Sequence, residues 1–127
     1  MLLAAPANDE APHLAALRRG VEAGFRFRHF RDPGGEVAVI YAERWCSYGV
    51  VENCTLRAMT EAVAARFRIE DHPGGDPLWQ ATGSVAEVLT ALLDLPPHGH
   101  PGAPTSPRRP SSALWLPGSP CRRFPSR

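Results

Sequence analysis

The 127-residue chain contains no lysine, and all fourteen of its basic residues are arginines. Arginine is therefore its default cation, a mark of a GC-rich coding sequence, and an arginine at a given place signals no special demand for a guanidinium. Cysteine is scarce, with residues only at 46, 54 and 121. An odd number so widely spaced excludes a disulfide scaffold. The seven residues between Cys46 and Cys54 exclude a zinc knuckle and a Cys-x-x-Cys redox pair. No apolar run reaches the length of a membrane span, and the opening MLLAAPANDE has neither the basic flank nor the apolar stretch of a signal peptide. A cytoplasmic protein with free thiols and no membrane contact is the expectation.

Acidic residues stop at Asp94. Residues 1–95 hold nine arginines against thirteen acids, a net charge of −4, whereas residues 96–127 hold five arginines and no acid, a net charge of +5. The formal charge of +1 conceals this split. Nine of the fourteen prolines also fall after residue 95, in a stretch without hydrophobic period. Such composition buries too little apolar surface to offset its ordering entropy. The organisation predicted is one α+β domain over residues 1–95 and a Pro/Arg-rich disordered tail over 96–127. The abrupt change of character also fits an unrelated extension after Thr105.

Within the domain, Asn8 or Asp9 is placed to cap a first helix, with Pro12 in its first turn. Leu14, Leu17 and Val21 form its apolar face and Gly24 its stop. The stretches FRFRHFR and EVAVIYAER, joined by Asp32-Pro33-Gly34-Gly35, predict a β-hairpin whose type II turn takes positive φ at Gly34. The segment from 49 to 59 reads either as strand or as helix. The preferred reading is a strand over 49–58 followed by a short helix over 61–67 capped by Thr60. LWQAT is a fourth short strand, and Ser84 with Glu87 forms a capping box ahead of a helix ended by Pro96-Pro97. The fold class expected is α+β: a small antiparallel sheet of three to four strands, with two to three helices on one face.

The octapeptide GFRFRHFR, Gly24 to Arg31, carries the strongest chemical suggestion. Its glycine and aromatic places partly match an RNA-recognition strand. Arg26 and Arg28, however, stand where that motif needs core-facing residues. A partner aromatic strand is missing, and the acidic balance of the domain opposes phosphate binding. An amphipathic strand with Phe25 and Phe27 inward, Arg26 and Arg28 outward, and Phe30 breaking the alternation at a bulge accounts for the same residues. No nucleophile elbow, phosphate loop or shared carboxylate pair is present. His98-x-His100 lies in a Gly/Pro-rich stretch with no rigid metal frame, and the Pro-x-x-Pro repeats between 101 and 120 need no function to explain them. Neither a metal nor a cofactor is expected.

GFRFRHFRD, the hairpin glycines and LWQATGSVAEVLTALLDLPPHGHPGAP together resemble small uncharacterised proteins of high-GC actinobacteria, over roughly residues 14–104. In those proteins an aromatic-basic strand opens the sheet and a tryptophan precedes a Val/Leu-rich helix. The resemblance implies no activity and no catalytic residue.

The functional expectation is a non-enzymatic accessory or protein-interaction domain. Its candidate face is Arg26, Arg28, Phe30, Tyr41 and Trp45, on the side of the sheet left open by the helices, and its partner is another protein or a second copy. The alternative is a small nucleic-acid-associated regulator using Arg26, Arg28 and the basic tail.

Overall fold

The computed structural model describes residues 10–111 and 113–117. Helix α1 (Ala11–Glu22) leads into five strands, β1 (Arg26–Arg31), β2 (Val37–Trp45), β3 (Val50–Ala58), β4 (Glu61–Arg68) and β5 (Trp79–Gly83), followed by helix α2 (Val85–Leu93). The strands form one antiparallel meander in the order β1-β2-β3-β4-β5. The expected α+β class with an antiparallel sheet is therefore present, with one strand more than the sequence suggested.

Local chemistry explains the ends of the elements. Helix α1 closes in a paired turn: Phe25 N–H donates to Gly20 O at 3.0 Å and Gly24 N–H to Val21 O at 3.1 Å, with Gly24 at φ +104° where a side chain would be strained. Its N-cap is Glu10, which makes no side-chain capping bond; Asn8 and Asp9 lie outside the described residues. Helix α2 starts on the expected capping box, Glu87 N–H donating to Ser84 Oγ at 3.1 Å and Ser84 N–H to Glu87 Oε1 at 2.9 Å. These bonds hold the Glu87 carboxyl below its usual range. In the β1–β2 turn the positive φ falls on Gly35, at +88°, and not on Gly34. Asp32 Oδ1 accepts from Gly34 N–H and Glu36 N–H, and this side-chain cap positions the turn.

The short helix expected over 61–67 is β4 instead. Its alternate residues are buried on both sides of the sheet, Ala62 and Ala64 toward the helices and Val63, Ala65 and Phe67 away from them. A strand covered on both faces shows no apolar–polar alternation. The loop that turns β3 into β4 is only Met59-Thr60, without the Asn-Gly signal of a tight hairpin. Thr60 therefore turns the chain and caps no helix.

The two faces have separate cores. On one, α1 and α2 cover Phe25, Ala42, Cys54 and Leu56. On the other, Leu114, Trp115 and Leu116 lie over Val39, Tyr41, Val63 and Phe67. The segment predicted to be disordered from residue 96 thus touches the domain at several points along its described residues and packs on it at Leu114-Trp115-Leu116. Arg66 Nη1 donates to Pro96 O at 2.8 Å, Arg68 Nη2 to Thr105 O at 3.0 Å and Thr55 Oγ1 to Trp115 O at 2.6 Å. Three bulky apolar residues in a row, Leu114-Trp115-Leu116, supply the surface that the surrounding composition lacks. Residues 118–127 lie outside the described residues.

Beneath the helices sits an ion cluster. Glu52 and Arg66 are both buried, and Glu52 Oε2 accepts from Arg66 Nε at 2.9 Å and Nη2 at 2.7 Å. Glu52 Oε1 pairs with Arg44 Nη2, and Arg44 Nη1 donates to Ala23 O at 2.9 Å. Three adjacent strands, the end of α1 and the chain after α2 are tied through one carboxylate.

Candidate functional site

The five residues singled out by the sequence share the sheet face opposite the helices. Register places Arg26 beside Glu43 and Arg28 beside Tyr41, with Phe30 two residues on, so Phe30 continues the Arg26 and Arg28 alternation and does not break it. The bulge lies one step later, between Phe30 and Arg31. That face is not open throughout. Trp115 packs edge-on against Phe30 at 5.1 Å and Tyr41 at 6.3 Å, and Tyr41 is fully buried. The expectation that Tyr41 is a surface residue is corrected: residues 113–116 cover the middle of the face the helices leave free. Phe30 is half-buried, its ring turned under Trp115, while Trp45 is 55% exposed. Arg26 and Arg28 are exposed and form no ion pair among the described residues; the Arg28 guanidinium lies over the Phe30 ring at 5.1 Å and the Tyr41 ring at 5.7 Å.

Behind Trp45 a polar cluster forms that the sequence did not announce. Tyr41 Oη donates to Glu43 Oε1 at 3.0 Å, Trp45 Nε1 donates to Glu43 Oε2 at 2.8 Å, and His72 Nε2 lies 3.5 Å from Tyr41 Oη. The His72 ring is wedged edge-on between Trp45 and Phe67. Burial holds the His72 imidazole below its ordinary value, against the opposing pull of Glu43, and burial with the Glu43 charge pushes the Tyr41 phenol up. The unfolded chain therefore binds a proton at His72 more readily than the folded one. Its contribution to stability is complete above the ordinary histidine range and is lost as the pH falls through that range to the lower folded value. In thermal melts the parent is expected to lose more stability than His72→Gln between about pH 7 and pH 5. Equal losses would show that His72 is not the group responsible.

Among the described residues, Cys46 and Cys54 are not brought together with a histidine. Cys54 is buried under the helices, where burial pushes its thiol up to about 12, while His72 is on the other face. Cys46 is half-buried in the β2–β3 turn, its thiol raised by burial. The described residues contain no group of three His, Cys, Asp or Glu placed to hold a metal ion. His100 stacks edge-on against Tyr48 at 5.7 Å.

The open surface is on the helix side. An open groove of about 760 Å3 runs between α1 and the β1–β3 sheet. Phe27, Ile40 and Leu56 form its floor, and Leu14, Leu17 and Val21 its α1 wall. Those three α1 residues are the apolar face of the helix expected from the sequence, and Leu17 also packs against the core beneath the helices. The buried residues of α1 are a different set, Ala16 and Gly20, with Phe27 and Leu89 packed about Gly20 at ordinary van der Waals distance. Arg19 Nη2 donates to Thr90 Oγ1 at 2.9 Å, and Ala86 N–H to His13 Nδ1 at 3.2 Å, fixing the two helices together. With its small residues buried, α1 turns its larger ones to the groove, leaving Val21 60% and, across the groove, Val37 44% exposed. The polar groups lining it are the basic side chains of Arg18, His29 and Arg57. Exposed large aliphatics on a helix and a neighbouring strand are the trace such a groove leaves in a structure; in the sequence they are indistinguishable from core residues.

No described helix is long and apolar enough to cross a membrane. Comparison of the chain with protein-family models, with curated proteins and with solved structures finds no match.

Proposed function

We propose that the protein is a non-enzymatic interaction domain that docks another protein at the groove between α1 and the β1–β3 sheet. The observation that carries this reading is the orientation of α1. Its large apolar residues Leu14, Leu17 and Val21 line an open groove while its small ones are the buried residues of the helix, so that Leu17 only partly joins the core and Val21 is left exposed. An exposed apolar surface of this kind is costly in water unless a partner covers it. The exposed side chains Val21 and Val37 are the places where a partner would gain most buried area.

Peptides selected from a random library on the intact protein are expected to compete with anilinonaphthalene sulfonate, an apolar fluorescent probe. Val21→Glu and Val37→Glu are expected to weaken both peptide and probe at least about tenfold, because a carboxylate is placed in an apolar contact. Both positions are exposed, so the variants should melt close to the parent. Selected peptides that bind these variants as well as the parent would overturn the assignment of the groove.

A further inference from the structure

The two edges of the sheet are treated differently. Along β5, residues 108–111 follow the edge, with Gln80 Nε2 donating to Arg109 O at 2.8 Å, Ser111 N–H donating to Gln80 Oε1 at 2.8 Å, and Arg108 N–H donating to Pro77 O at 2.9 Å. The outer edge of β1 has no such cover among the described residues, and β1 pairs only with β2. Its residues alternate across the sheet: Phe27 and His29 line the groove, while Arg26 and Arg28 project from the opposite face. A strand's free edge offers a row of backbone donors and acceptors to any chain that can match its side chains.

Charge narrows the match. A second copy added edge to edge would set the arginines of one β1 against those of the other, and like charges across a strand pair are destabilising. The two terminal segments of the chain do not match either. MLLAAPAND ends in its single acid, and GSPCRRFPSR has three arginines and no acid. A helix lying in the groove would reach neither the β1 edge groups nor Arg26 and Arg28, which are on the other side of the sheet.

We infer that the partner is an extended acidic-apolar segment of another protein that adds to β1 as a sixth strand. Acidic residues stand opposite Arg26 and Arg28, and large apolar residues stand between them, opposite Phe27 and His29. This rests on the docking reading above and gives that site its partner chemistry. Backbone hydrogen bonds supply affinity, and the alternating side chains supply selection. The apolar side chains enter the groove toward Val21, and the carboxylates pair with two guanidiniums that have no ion pair among the described residues.

Fluorescein-labelled nonapeptides provide the test on the intact protein, read by fluorescence polarisation. A peptide alternating glutamate with leucine is expected to bind about tenfold tighter than its isomer with the same residues in two blocks, and tighter than a lysine–leucine alternation, two cross-strand charge pairs setting that scale. Added salt should weaken it. The double variant Arg26→Glu, Arg28→Glu, at two exposed positions, is expected to transfer the preference to the lysine peptide. Amide exchange along β1 should slow in the complex. Equal binding of the block isomer, an unchanged preference in the double variant, or a dimer held through β1 in sedimentation would each overturn the strand-addition inference. Library peptides that need Val21 and Val37 but show no acidic-apolar alternation would overturn it while leaving the docking reading intact. Failure of every peptide at the groove would remove both.

Discussion

Replacing Arg66 with alanine is expected to cost about 3–5 kcal/mol of stability, because it leaves the buried Glu52 carboxylate without its principal partner. Both side chains are about 2% exposed, so water cannot take the place of the guanidinium. Arg44 remains paired to Glu52, but through one oxygen and with its own side chain 28% exposed. The loss also frees Pro96 O, which Arg66 Nη1 holds at the end of α2. Urea melts of Arg66→Ala, Glu52→Leu and Arg66→Met with Glu52→Leu separate the charge from the packing. If the cost is that of a stranded carboxylate, the double apolar variant recovers most of what Arg66→Ala loses, since removing both buried charges is far cheaper than removing one. An Arg66→Ala variant within about 1 kcal/mol of the parent would show that the cluster is open to water.

Trp115→Ala is expected to cost about 3–5 kcal/mol, the range for truncating a large aromatic in a packed core. Trp115 is 6% exposed, packs on Phe30 and Tyr41, and offers its backbone carbonyl to Thr55 Oγ1. Ending the chain at Pro104 removes Leu114 and Leu116 as well, uncovering Val39, Val63 and Phe67, and is expected to lower stability at least as far. For a domain near one hundred residues each kcal/mol corresponds to roughly 4–8 °C in Tm, so both variants should melt well over ten degrees lower. A segment that did not pack would leave the two variants within about 0.5 kcal/mol of the parent. That result would restore the disordered reading of the proline-rich stretch.

Features decided by neighbours in the chain were legible in advance. The Ser84–Glu87 capping box, the Gly24 stop, the hairpin around Asp32-Pro33-Gly34-Gly35 and the strand at LWQAT each depend on a few adjacent residues, and each is present. The strand nature of 50–58 followed from β-branched residues and the need for a third strand. The alternation that sets Arg26 and Arg28 on the other side of β1 from Phe25 and Phe27 could likewise be read from adjacent residues.

Tertiary structure decided the rest, for identifiable physical reasons. Periodicity reports a contrast between two environments, and β4 has none because both of its faces are covered; its Ala-rich stretch then reads as helix. Helix α1 has two candidate contact stripes, Leu14-Leu17-Val21 and Ala16-Gly20, and the tertiary structure buries the small one, leaving Leu17 to share its surface between core and groove and Val21 exposed. Glu52 and Arg66 are ordinary charged residues in the sequence, and they become a buried pair because β3 and β4 set them opposite each other. Thr55 and Trp115 meet across 60 residues of chain. Composition by itself determined an acidic part and a basic proline-rich stretch; three apolar residues within that stretch are too few to alter its average, yet enough to cover Val39, Tyr41, Val63 and Phe67 on the second face of the sheet.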